Sequence, residues 1–115
     1  MKRGDVYWVD LAPRSGSEQQ GRRPAVIVST DSLNLAPNWY SLIVAPITTS
    51  AKQARRDATV VILPAGEGGL SKESVVLCHQ LTTLDRSKIL QRIGELSDAW
   101  LAQVEEAIVA ALDLP

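Results

Sequence analysis

The chain predicts a mainly β domain, a small antiparallel barrel or sandwich that ends in one amphipathic helix. Three observations predict it. Five or six short runs rich in Val, Ile and Leu are separated by turn-forming loops, the pattern of short strands arranged in a ring or in two layers. No helical periodicity of any length intervenes before residue 97. The 115 residues are 45% hydrophobic with no Phe and 4% aromatic content, so residues 1–115 read as one domain around an aliphatic core.

Residues 6–9 form the first expected strand, bounded by Gly4 and Pro13, with apolar side chains on both faces. A loop follows from about residue 12 to residue 22. Residues 24–29 are β-branched and form the second strand, opened by Pro24, a residue tolerated at the first strand position. Residues 30–38 are turn-rich, with room for one short helical turn. Residues 42–45 form the third strand, which Pro46 is expected to interrupt at an edge or bulge. A polar loop from Thr48 leads to a fourth strand at residues 59–63. Three glycines within residues 64–70 make a turn. Residues 74–82 read as a fifth strand, and residues 89–93 can supply a sixth. Ser97 is the expected N-cap of the terminal helix, with Asp98 favouring its positive end. Leu101, Val104, Ile108, Ala111 and Leu112 share one stripe, and Gln103, Glu105 and Glu106 face away from it.

Composition excludes several function classes. No run approaches the roughly 18 apolar residues of a membrane span. The charged start, Met1-Lys2-Arg3-Gly4-Asp5, has no apolar core of a signal peptide. Together with a single cysteine, Cys78, this sets a cytoplasmic expectation. One His and one Cys cannot build a Cys/His zinc site. Neither a G-x-x-x-x-G-K-[ST] loop, a G-x-G-x-x-G turn nor a G-x-S-x-G elbow is present. The net charge is −1, yet residues 1–57 carry +3 and residues 58–115 carry −4. A basic face is therefore available from Arg14, Arg22, Arg23, Lys52, Arg55 and Arg56, should their loops converge.

The segment Gly16-Ser17-Glu18-Gln19-Gln20-Gly21-Arg22-Arg23-Pro24-Ala25-Val26 is the most informative one. Pro24 fixes its own φ and pushes Arg23 into an extended conformation. A guanidinium on stiff backbone beside a polar loop suits an anion such as phosphate; a solvated arginine pair at a strand start fits the same residues. Thr48 ends the third strand as Arg23 begins the second. If those strands are neighbours, hydroxyl and guanidinium reach one cleft and can stabilise charge on a phosphate. His79, inside the expected fifth strand, reads either as a half-buried structural side chain or as a general base. Cys78 reads as a small buried hydrophobe.

The ordered set Gly4-Asp5-Val6-Tyr7-Trp8-Val9-Asp10-Leu11, Gly16-Ser17-Glu18-Gln19, Arg23-Pro24, Ala45-Pro46-Ile47-Thr48 and Gln80-Leu81-Thr82-Thr83-Leu84-Asp85 resembles the MazF/PemK (Kid) toxins over nearly the full length. The resemblance implies a small SH3-like β-barrel with a C-terminal α-helix that works as a homodimer. It implies a toxin of a type II toxin–antitoxin system, a sequence-specific, metal-independent endoribonuclease needing no cofactor. Such enzymes cut single-stranded mRNA through a 2′,3′-cyclic phosphate, and a cognate antitoxin with an acidic flexible tail blocks them. Carried over position by position, the resemblance makes Arg23 the general acid and phosphorane stabiliser and Thr48 the residue that polarises the scissile phosphate. Glu18 contributes to the site, and Gln80 reads or positions bases. Ser17, Gln19, Thr49, Ser50, Lys52 and Arg55 complete the expected RNA contacts. His79 stands where relatives carry Asp or Glu, Thr82 where many carry Arg, and Leu77 where the Kid branch carries Arg, so the general base stays open. Two other classes remain beside the nuclease. One is a non-enzymatic, CcdB-like gyrase poison, against which Arg23 and Thr48 weigh; the other is an inactive interaction module on the same fold.

Overall fold

The computed structural model describes residues 1–12, 16, 18, 21–49 and 57–115. Strands β1 (Asp5–Asp10), β2 (Arg22–Ile27), β3 (Ser41–Thr48), β4 (Val60–Leu63), β5 (Ser74–Leu77), β6 (Thr82–Asp85) and β7 (Ile89–Glu95) form one antiparallel system. Helix α1 (Asp31–Asn34) is a single turn, and α2 (Asp98–Leu112) is the terminal helix. The hydrogen-bonded order is β4-β5-β3-β2-β1-β7, with β6 also on β3. The mainly β class with one long C-terminal helix is the expected one.

The sheet does not close through hydrogen bonds. Its two ends, β4 and β7, meet instead through a 3-10 turn, Glu67–Gly69, that follows β4 and lies against β7. The contact is backbone on backbone. A Cβ at Gly69, where φ is +79°, would fall 2.5 Å from the carbonyl oxygen of Ile93, and a Cβ at Gly94 would fall 2.5 Å from that of Gly68. Only glycine permits this approach.

Both faces of the sheet are covered, as the apolar pattern of β1 requires. Val6, Val26, Ala45, Ile47, Leu63 and Val76 form one core, under Val104 and Ala107 of α2. Val9, Ala25, Ile27, Leu42, Val44 and Leu84 form the other. Helix α2 begins at the expected cap, where the Ser97 hydroxyl accepts from the Trp100 N–H at 3.4 Å. Leu101 and Ile108 pack on the first core with Val104, whereas Leu112 is exposed. Glu105 does not simply face away: it is half-buried and pairs with Arg3.

Three expectations need correction. Pro46 does not interrupt β3, which runs through it with Pro46 buried and opposite Ala25. The free edge of β3 changes partner there, from β6 at Ser41–Val44 to β5 at Ile47 and Thr48. One missing backbone donor is best tolerated at such a change. The single strand expected over residues 74–82 is two strands, β5 and β6, separated by a 3-10 turn at Cys78–Gln80. His79 therefore lies on a turn and is exposed, and strand alternation does not govern its direction. The second strand starts at Arg22, so both arginines belong to β2.

Strand β7 carries two irregularities against β1. Val6 pairs with Gly94 and Tyr7 with Arg92, leaving Ile93 as an extra residue. Val9 then pairs with Ile89, so Leu90 and Gln91 together oppose Trp8. Such bulges redirect side chains at the edges of sites. Elsewhere, Arg86 fixes the segment after α1. Its guanidinium donates to the carbonyls of Leu33 (3.0 Å), Asn34 (2.8 Å) and Trp39. These include the carbonyls that a helix end leaves without partners.

Candidate active site

Strand pairing brings the two leading candidates together. Ala25 pairs with Pro46, Val26 with Ala45 and Ile27 with Val44. Carried on two residues, that register sets Arg23 level with Thr48. Both line one cavity of about 450 Å³ at the end of these strands. Arg23 is exposed on β2, beside Pro24 and opposite Val9 of β1. Thr48 is the last residue of β3, opposite Val75 of β5, and is only 7% exposed. A buried hydroxyl and an exposed guanidinium on paired strands are a geometry that can stabilise charge on an anion.

A second wall comes from the segment between the Glu67–Gly69 turn and β5: Gly69, Leu70, Ser71, Lys72 and Ser74. The buried Ser74 hydroxyl donates to the Lys72 carbonyl at 2.8 Å, which ties this wall to β5. Trp8 of β1 and the bulge residue Ile93 of β7 complete the lining, with Arg22, Pro24, Ile47 and Thr49. The described lining residues include Arg22, Arg23 and Lys72 and no carboxylate. In a chain of net charge −1, this concentrates positive charge where an anion can enter.

Thr49, an expected RNA contact, also lines the cleft. His79 and Gln80 do not line it; they sit side by side on the Cys78–Gln80 turn, His79 Nε2 to Gln80 Nε2 being 3.5 Å. Thr82 turns back locally, its hydroxyl donating to the Gln80 carbonyl at 2.9 Å. Glu18 is exposed and is not among the lining residues. Ser17, Gln19, Ser50, Lys52 and Arg55 lie outside the described residues, as do Arg14 and Arg56. Cys78 is buried, and burial pushes its thiol up to about 12, far from a reactive thiolate. Among the described residues, no group of three or more His, Cys, Asp or Glu gathers as metal ligands, and no helix is long and apolar enough to cross a membrane.

Sequence reading missed Trp8, Ser71, Lys72 and Ser74. The glycines at residues 66, 68 and 69 mark a tight turn but not what lies against it, so no local signal identified these residues.

Residues 2–112 match the family model of the PemK-like, MazF-like toxins of type II toxin–antitoxin systems. The chain belongs to this family. Among its curated relatives are endoribonuclease MazF of Staphylococcus saprophyticus, 40% identical over 99% of this chain and 92% of the relative, and endoribonuclease EndoA of Bacillus subtilis, 37% identical over 99% and 96%. Similar solved structures include MazF of Deinococcus radiodurans, 30% identical with a TM-score of 0.80 over 99% of this chain and 97% of that one. Another is a mycobacterial endoribonuclease in complex with its cognate antitoxin, 25% identical with a TM-score of 0.81 over 100% and 97%. The fold and family expected from the sequence are those found.

Proposed function

We propose that this toxin is a metal-independent endoribonuclease that cuts single-stranded mRNA in the cytoplasm, with Arg23 and Thr48 at its centre. The observation that carries the reading is their shared cleft, cationic and without a carboxylate among its described lining residues. The ribose 2′-OH attacks the adjacent phosphorus in line. The 2′-oxygen–phosphorus bond forms as the bond to the 5′-oxygen breaks, the 2′-hydroxyl giving its proton to water and the leaving 5′-oxygen taking one from water, which leaves a 2′,3′-cyclic phosphate and a 5′-hydroxyl. Thr48 donates to a non-bridging oxygen and fixes the phosphate. Arg23 answers the charge that builds on the phosphorane with two parallel donors. The planar guanidinium stays charged and presents its donors as a rigid fork, so its contribution is stabilisation more than proton transfer. Unpaired RNA suits the site because its bases are free to leave the stack. The working form is a homodimer, consistent with the exposed apolar residues Leu35, Trp39, Tyr40 and Ile43 around α1 and the start of β3. An antitoxin with an acidic, flexible tail would occupy the cationic cleft in place of RNA.

The test is incubation of the purified protein with a long, mixed-sequence RNA without added metal, followed by mapping of new 5′-hydroxyl ends. Arg23→Ala is expected to lower the rate on the order of a hundred- to thousand-fold, the usual loss for one preorganised donor, and Thr48→Val to lose a comparable share. His79→Ala, away from the cleft, is expected to change it less than about threefold. Normal cutting by Arg23→Ala would remove the assignment, and a hundred-fold loss in His79→Ala would restore His79 as the base.

A further inference from the structure

We infer that the cleft continues past Trp8 into a second nucleotide subsite, in which the Trp8 indole is a stacking platform and Gln91 reads the base. The inference rests on the ribonuclease reading and specifies where its substrate runs.

Trp8 and Arg22 line the main cleft and also a neighbouring groove of about 280 Å³, whose other walls are Leu90 and Gln91. The shared side chains of Trp8 and Arg22 place the two spaces next to each other. The bulge in β7 creates the second space, because it sets Leu90 and Gln91 against the single residue Trp8. Ile93, the extra residue of the other irregularity, lines the main cleft. Both departures from regular pairing thus face the same channel.

Trp8 is 40% exposed on a strand hydrogen-bonded on both sides, and it belongs to neither core. Its backbone is rigid while its indole stays available. An aromatic face flanked by cations is what an unpaired base with its phosphate requires. Arg22, common to both spaces, is placed to hold the phosphate joining a nucleotide in the cleft to one in the groove. The Gln91 amide can donate and accept, so it can discriminate among base edges. Continuity with the cleft proposed to cut RNA makes the neighbouring nucleotide of the same strand the occupant.

The experiment uses oligoribonucleotides centred on a cut mapped in the long RNA, shortened one nucleotide at a time from each end. Wild type should lose on the order of 5- to 150-fold in kcat/KM when the nucleotide occupying the groove is removed, the range of one base–aromatic stack. Trp8→Ala should be slow on the longer oligonucleotide and should cease to distinguish the two lengths, while Trp8→Phe keeps the distinction. Gln91→Ala should keep the length effect and lose preference for the base at that position. The subsite is overturned if Trp8→Ala slows both lengths equally, or if length has no effect in wild type. It is also overturned if, in a Trp39→Phe/Trp100→Phe variant whose remaining indole is Trp8, a short acidic peptide quenches the fluorescence while the oligonucleotides do not, which would assign the groove to a protein partner. Failure of wild type to cut any RNA would instead remove the ribonuclease reading itself.

Discussion

At the scale of single residues, charge and hydrogen bonding decide more than burial does. Asp31, at the start of α1, accepts from the Arg3 backbone N–H at 2.7 Å and from the Asn34 amide at 3.0 Å. The Arg3 N–H first, and then Asn34, hold its carboxyl below the usual range. A depressed pKa in the folded state stabilises above the unfolded value, and that stabilisation is lost as pH falls through the folded value. Urea midpoints should therefore fall from about pH 5 downward, and Asp31→Asn should flatten that acid limb while lowering the neutral midpoint. Parallel acid limbs in the two proteins would remove this role. Asp85, held down by the Ser87 N–H at 2.9 Å, keeps part of the slope in the variant. Arg23 and Thr48 were legible because proline and strand ends constrain backbone locally. Lys72 and Trp8 were not. They reach the cleft through pairings across the whole chain, and nothing in their immediate neighbours marks them.

At the scale of elements, long periodic segments were readable and their interruptions were not. Helix α2 followed from its cap and its stripe. The apolar residues 75–78 and 81 hid the break at Cys78–Gln80, because a short apolar run does not record where a chain changes partner. The glycine contact between the Glu67–Gly69 turn and β7 was equally invisible, since it joins residues whose pairing only the sheet order defines. Its consequence is measurable. Gly94→Ala places a methyl group against the Gly68 carbonyl, 2.5 Å away, and backbone must move to admit it. A loss of about 1–3 kcal/mol is expected from overpacking, read from denaturant midpoints at constant slope. Gly66→Ala is the contrasting variant. No atom beyond the adjacent residues lies within 4 Å of the added carbon, so only the strain of φ +96° remains. Equal stability of Gly94→Ala and wild type would show that the two backbones are not in contact.

At the scale of the whole molecule, the proposed homodimer can be tested directly by mass. Sedimentation equilibrium should return twice the 12.5 kDa of one chain, and Tyr40→Asp together with Ile43→Asp should shift the mass towards the single chain without altering the circular dichroism. A single-chain mass for the wild type at every concentration would end that proposal. Sequence reading reached the domain class and the family. It could not foresee that the ends of the sheet meet through glycines in place of a hydrogen-bonded seam.

The pairing of β1 with β7 has one more consequence. The first strand of the chain waits for the last, and Ile93 of that last strand lines the cleft. A growing polypeptide cannot finish the proposed catalytic surface until Ile93 has left the ribosome. Under the proposed activity, the transcript being translated is therefore spared by the unfinished product it encodes.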